Sequence, residues 1–213
     1  RLPDKELVPG SVSIAPVAGE RKAGGHTPLD VATAWLSATG RGVRVAILDT
    51  GINSDHPDLS GQVVASRDFT GSRVGAEDVQ GHGTHCAGVV ASKFDGNGLI
   101  GVAPDAKLIN AKVLGDQGSG ADTWIAAGVD WAVAQGANVI SMSLGSAQRS
   151  NTIVAACQRA IDAGVLVVIA AGNAGPGNNT VGWPGAMPGA VCVAAVAENL
   201  VVASFSSRGS QLV

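Results

Sequence analysis

The chain contains no tyrosine, and aromatic residues make up only 3% of its 213 positions. A core with so few rings must be filled by Ala, Val, Ile and Leu, which suits a parallel sheet covered by helices on both faces. Charge is sparse as well, with 15% charged residues and a formal net charge of −3. Lys and Arg are scattered singly and form no basic stripe, which argues against a nucleic-acid partner. The apolar runs, such as residues 164–171, fall far short of the roughly 20 residues that a membrane span needs. The opening residues Arg1-Leu2-Pro3-Asp4-Lys5-Glu6 show no apolar segment of the signal-peptide kind. Cysteine is limited to Cys86, Cys157 and Cys192, an odd number without zinc-site spacing, so at least one thiol is free.

Glycine, by contrast, is abundant: 30 residues, about twice the usual share of roughly 7%. No Gly-X-Y period accompanies it, so tight turns and close backbone approaches are expected. With 46% hydrophobic residues, the chain can bury a sizeable core as one domain.

Residues 1–25 read as an irregular arm, broken by Pro3, Pro9, Pro16 and the Gly24-Gly25 pair, ahead of a domain over 26–213. Thr27 or Asp30 can cap a short helix around Val31, Ala34 and Trp35 that stops at Gly40. Beyond it, strands are expected over 43–50, 107–113, 137–144, 165–170 and 190–196, and helices over 84–93, 122–135 and 152–163. This alternation implies right-handed crossovers and an α/β fold with a mainly parallel sheet. Chemistry in such sheets sits beyond the carboxyl ends of the strands.

Three clusters of polar residues fall at such ends. Asp49 closes the run Val45-Ala46-Ile47-Leu48, and a carboxylate there is costly to bury unless its charge is used. His82 and His85 lie in Gly81-His82-Gly83-Thr84-His85-Cys86-Ala87-Gly88, and Asn173 follows Ala170-Ala171-Gly172. Each has an ordinary explanation: Asp49 as a turn or cap, a histidine as a core side chain, Asn173 as a turn residue. Metal ligation by the two histidines fits poorly, because zincins space them four apart with a Glu after the first.

Taken together, these segments resemble the subtilisin-like serine peptidases. The resemblance runs through Val45 to Ile52, Gly81 to His85, Gly101-Val102-Ala103-Pro104, Val139 to Gly145, Ala170 to Asn173 and Ala203-Ser204-Phe205-Ser206-Ser207. It implies a three-layer fold with helices flanking a mainly parallel sheet, and hydrolysis of peptide bonds by an Asp-His-Ser triad. Asp49 then corresponds to the orienting carboxylate, His82 to the general base and acid, and Asn173 to the side-chain oxyanion donor. Ser143, Leu144 and Gly145 resemble the strand on which a peptide adds by β-augmentation. Ala170, Ala171 and Gly172 resemble one wall of the first specificity pocket, whose small residues imply room for an apolar side chain.

The family's nucleophile lies in a Gly-Thr-Ser-Met-Ala segment, and no such segment occurs in these 213 residues. Ser204, Ser206 and Ser207 match another motif. The expectation is therefore a domain incomplete at its C-terminal part. Its serine would lie beyond Val213, so the chain alone would be close to inactive. The resemblance implies no catalytic cofactor, but it does imply a structural Ca²⁺ site from Asp58, Asp95, Asn97 and Leu99. It also implies a free thiol at Cys86 beneath His82, by analogy with the proteinase K branch. The implied partners are a polypeptide substrate, the remaining portion of the domain and a propeptide or protein inhibitor, in a secreted or extracytoplasmic setting. The competing reading is an inactive remnant that retains the peptide groove as a binding module.

Overall fold

A computed structural model describes residues 20–22, 29–96, 98–197 and 199–209. In chain order its elements are β1 (Glu20–Lys22), α1 (Val31–Ala34), β2 (Arg44–Asp49), a 3-10 turn (Pro57–Leu59), β3 (Val63–Asp68) and α2 (His82–Ala91). There follow β4 (Gly98–Ile100), β5 (Lys107–Lys112), α3 (Asp122–Ala134), β6 (Val139–Met142), α4 (Asn151–Asp162), β7 (Leu166–Ala170) and β8 (Val191–Val193).

Six strands form one parallel sheet in the order β3-β5-β2-β6-β7-β8. The chain winds outward on one side of β2 and then returns to build the other, so β2, held between β5 and β6, marks the switch point. The crevice beyond the carboxyl end of such a strand is where open α/β sheets hold ligands. Residue alternation along β2 decides the two layers. Ala46 and Leu48 face α3 and α4, packing with Val129, Ala132, Ala156 and Ala160, whereas Val45 and Ile47 face α2, with Ala87 and Ala91. The three-layer α/β architecture thus matches the expectation.

The two faces are not equally covered. On the α2 side, α2 lies over β2 and β5, but no helix among the described residues lies over β6, β7 and β8. Leu166, Val191 and Val193 of that region are about half exposed.

The arm expected over 1–25 departs from its reading at one point. Residues 20–22 form β1, which pairs in parallel with β4; a three-residue strand defined by a partner nearly eighty residues away leaves no local period to read. Residues 1–19 and 23–28, including Thr27, lie outside the described residues. Asp30 is the residue before α1, but its side chain receives its bond from the Thr33 hydroxyl (3.0 Å) rather than from a helix amide.

Candidate active site

The acid and base come together at the switch point. Asp49, the last residue of β2, is 1% exposed, and its Oδ1 accepts the Thr50 amide at 2.7 Å. His82 is the first residue of α2, and its Nδ1 lies 2.7 Å from the same Oδ1. An ionised carboxylate only accepts, so with Asp49 ionised it is Nδ1–H that donates. The main chain fixes the acid from behind, because the Asp49 carbonyl accepts the amides of Val113 (2.9 Å) and Leu114 (3.0 Å). Lys112, wholly buried, donates its ammonium to the Thr50 carbonyl and pairs with Asp116 at 2.9 Å, so its charge is neutralised where it is buried. That ammonium holds the Asp116 carboxyl below its usual range.

α2 begins one turn's half earlier than expected, at His82 rather than Thr84, because its orphan amides are satisfied from outside the helix. The His82 amide donates to Gln80 Oε1 (2.8 Å), the Gly83 amide to Thr50 Oγ1 (3.0 Å) and the Thr84 amide to Asp78 Oδ2 (2.9 Å). Asp78 is the hub of this arrangement. It also accepts the Thr50 hydroxyl (2.9 Å), the amides of Gln80 (3.0 Å) and Gly81 (2.8 Å) and the Thr84 hydroxyl (2.7 Å). Burial acts to raise its pKa, but the bonds from Thr84, Gly81 and Thr50 outweigh it and the carboxyl sits below its ordinary value. Asp78 was not singled out in the sequence. The usable signal was a helix opening Gly-His-Gly, with no capping side chain of its own and an aspartate three residues before the first glycine. Gly83 is required for a different reason. A Cβ there would drive into the Gly51 carbonyl, so only glycine lets α2 dock on the end of β2.

Cys86, one helical turn after His82, places its Sγ 4.0 Å from the His82 Nδ1. Burial pushes its thiol pKa up, a Ser143 bond opposes this, and the charges of Asp49 and Asp78 add to the rise. All three cysteines are free.

A cleft of about 540 Å³ opens beside this pair, bordered by His82, Leu114, Ile125, Leu144, Gly145 and Trp183 among others. Asn173 lies instead on an adjoining hollow of about 310 Å³ with Ala170, Gly172 and Val193. Ser143 borders both hollows. Ala171 faces neither, being buried with Val181 and Ala186. Ser207 grips the Asn173 loop: its amide donates to the Gly172 carbonyl (2.9 Å), and its hydroxyl accepts the Ala174 amide (3.1 Å). Ser206 Oγ likewise accepts the Ala195 amide (3.0 Å) and donates to the Ser207 carbonyl (3.3 Å). Both serines are buried and bonded, which is the structural role of that motif.

Asp58 and Leu99 adjoin, with the Leu99 amide donating to Asp58 Oδ2 at 3.0 Å, whereas Asp95 pairs with Lys93 at 3.2 Å. Asn97 lies outside the described residues.

An aspartate–histidine pair thus sits at the switch point of a parallel sheet covered by helices, the place where such sheets hold ligands. Comparison with known proteins places it further: the subtilase family model matches residues 40–212, and the chain belongs to that family. It is 47% identical over 186 residues to a subtilisin of Bacillus sp. (strain TA39), covering 80% of this chain and 44% of that protein. Thermitase of Thermoactinomyces vulgaris is 40% identical over 187 residues, covering 87% and 66%. An intracellular serine protease of Paenibacillus polymyxa is 39% identical over 185 residues, covering 84% and 57%. Among solved structures, the S41 psychrophilic protease superposes with a TM-score of 0.75 at 44% identity, covering 82% of this chain and 61% of the other. The chain thus spans about half the length of the curated relatives it matches. The expectation of an extracytoplasmic setting meets one relative named for the opposite compartment, and no helix among the described residues is long and apolar enough to cross a membrane.

Proposed function

We propose that these residues supply the acid–base half of a serine endopeptidase site whose nucleophile lies outside positions 1–213. The observation that carries this is the 2.7 Å contact between Asp49 Oδ1 and His82 Nδ1 at the switch point. Asp49 holds Nδ1 protonated, leaving Nε2 to take the serine proton, and then stabilises the imidazolium. His82 returns that proton to the leaving amine. A substrate polypeptide adds as a strand along Ser143, Leu144 and Gly145, with Ala170 and Gly172 lining the pocket for an apolar side chain. The Asn173 amide donates to the developing oxyanion.

Two observations support an external nucleophile. The buried hydroxyls of Ser206 and Ser207 are committed to backbone groups. The half-exposed face of β7 and β8 has the apolar character of a surface that a further segment of the domain covers. That segment is the partner we assign to it, with a propeptide or protein inhibitor as an alternative occupant of the cleft. Catalysis on this scheme needs no metal. Ca²⁺ has a structural role, held by the carboxylate of Asp58 with oxygens of residues 95–99, and Asp95 must leave Lys93 to join it.

A fluorophosphonate applied to a longer chain that contains residues 1–213 and a Gly-Thr-Ser-Met-Ala segment tests the scheme. It should label a serine outside residues 1–213, and His82→Ala should abolish the labelling. Label on a serine within residues 1–213 would overturn the scheme.

A further inference from the structure

Residues 146–150, which join the expected peptide-binding strand to α4, are held at both ends. Ser146 and Trp183 exchange backbone hydrogen bonds of 2.8 Å in each direction, and the Gln148 amide donates to Ser146 Oγ at 3.1 Å. At the other end Ser150 caps α4, accepting the Ile153 amide at 3.3 Å. Between these anchors, Arg149 lays its guanidinium over the Trp183 ring, with Cζ 5.0 Å from the centroid. Both side chains border the same cleft as His82.

Arg159 is bidentate on Asp130, and Arg41 meets Asp105, but among the described residues Arg149 forms no ion pair. Among the described residues, the one carboxylate bordering the cleft with it, Asp122, sits in the first turn of α3, where the helix amides offset its charge. A cation–π contact with a ring spends none of the five guanidinium N–H donors on an acceptor, so they can receive a carboxylate through paired hydrogen bonds. Leu114, Ile125 and Ile153 border the same cleft and can take the methylenes of such a side chain.

We propose that Arg149 is a specificity residue that reads an acidic side chain, Glu or Asp, of the peptide bound in this cleft, at a position removed from the bond presented to His82. This rests on the peptide-cleft reading above and adds the charge class of one substrate position. Trp183 pre-positions the guanidinium, so a carboxylate meets an already oriented donor.

The test uses fluorescein-labelled peptides of about eight residues, with a Leu and Ala background and one Glu, Gln or Lys placed at each position in turn. Each is titrated into the chain and followed by anisotropy. At one position Glu should bind about threefold to tenfold more tightly than Gln. That margin should vanish in Arg149→Gln and invert towards Lys in Arg149→Glu. Both variants should keep the wild-type melting temperature, because Arg149 is exposed. Equal binding of Glu and Gln at every position, or a Glu preference that survives Arg149→Gln, overturns the proposal. If no peptide of any charge binds, the peptide-cleft reading fails and this inference falls with it.

Discussion

The corner that holds Asp49 and His82 differs from the hollow that holds Asn173 in how each is supported. At the corner, every early amide of α2 meets a side chain from another segment, and one carboxylate, Asp78, ties the end of β2 to the start of the helix. Beside the hollow, the sheet face runs out into half-exposed Val191 and Val193. Asn173 is exposed, and its loop is fixed from behind by Ser207, with no hydrogen bond in front of it among the described residues. The comparison teaches that the Asp49–His82 geometry is encoded locally by the segments around it, whereas among the described residues Asn173 has support on one side of its loop. A site can thus be half preorganised.

The largest expected effect that would break this comparison is Asp78→Asn. An amide cannot accept at both oxygens, so the Thr84 or Gly81 donors lose their partner, and we expect a loss of about 2–3 kcal/mol in urea unfolding. Asn173→Ala, measured alongside, should change stability by less than about 0.5 kcal/mol. Equal costs for the two substitutions would remove the distinction between the regions.

Acid unfolding sharpens the same point. The folded pKa of Asp78 lies below its ordinary 3.8. Its contribution to stability is therefore complete above that value and is lost as pH falls through the lower, folded value. Asp78→Asn should flatten the acid limb of the stability profile, and an unchanged limb would show that the hub carries no such linkage.

Thiol labelling separates the regions by exposure. Cys192, on the uncovered edge strand, should react first and the half-buried Cys86 more slowly. Cys157, buried against Met142 with its pKa pushed up to about 11, should react only on unfolding. The smallest effect expected is that of calcium. Melting in Ca²⁺ rather than EDTA should raise the midpoint by about 2–4 °C, and identical midpoints would remove the ion from the account.

Much of this architecture was legible in the sequence, for physical reasons that also explain the omissions. β2 is buried and reads as a continuous apolar run, Val45-Ala46-Ile47-Leu48, β5 reads through Leu108, Ile109 and Ala111 despite the buried Asn110 and Lys112, and α3 and α4 carry glycine stops. β3 was missed because it is an edge strand, Val63-Val64-Ala65-Ser66-Arg67-Asp68, whose burial merely alternates. β1 and β4 exist through each other, so neither has a signature of its own. Asp49 stood out because a carboxylate ending a buried strand is costly without a use, and His82 because its Gly-His-Gly-Thr-His segment joins the others in resembling one family. Asp78 did not, since a loop aspartate looks like any turn until the helix it caps is folded against it. Asn173 shows the limit from the other side: its segment was legible, but its exposure on an open hollow beside β7 and β8 was not.

The central claim is that this chain by itself pre-forms the Asp49–His82 pair. Nitrogen-15 NMR of histidine-labelled protein reads it directly, through the His82 tautomer and its Nδ1 proton. The account predicts an Nδ1-protonated ring with a low-field proton that disappears in Asp49→Ala. A His82 protonated at Nε2 in the wild-type chain, unaffected by loss of the Asp49 carboxylate, would contradict it.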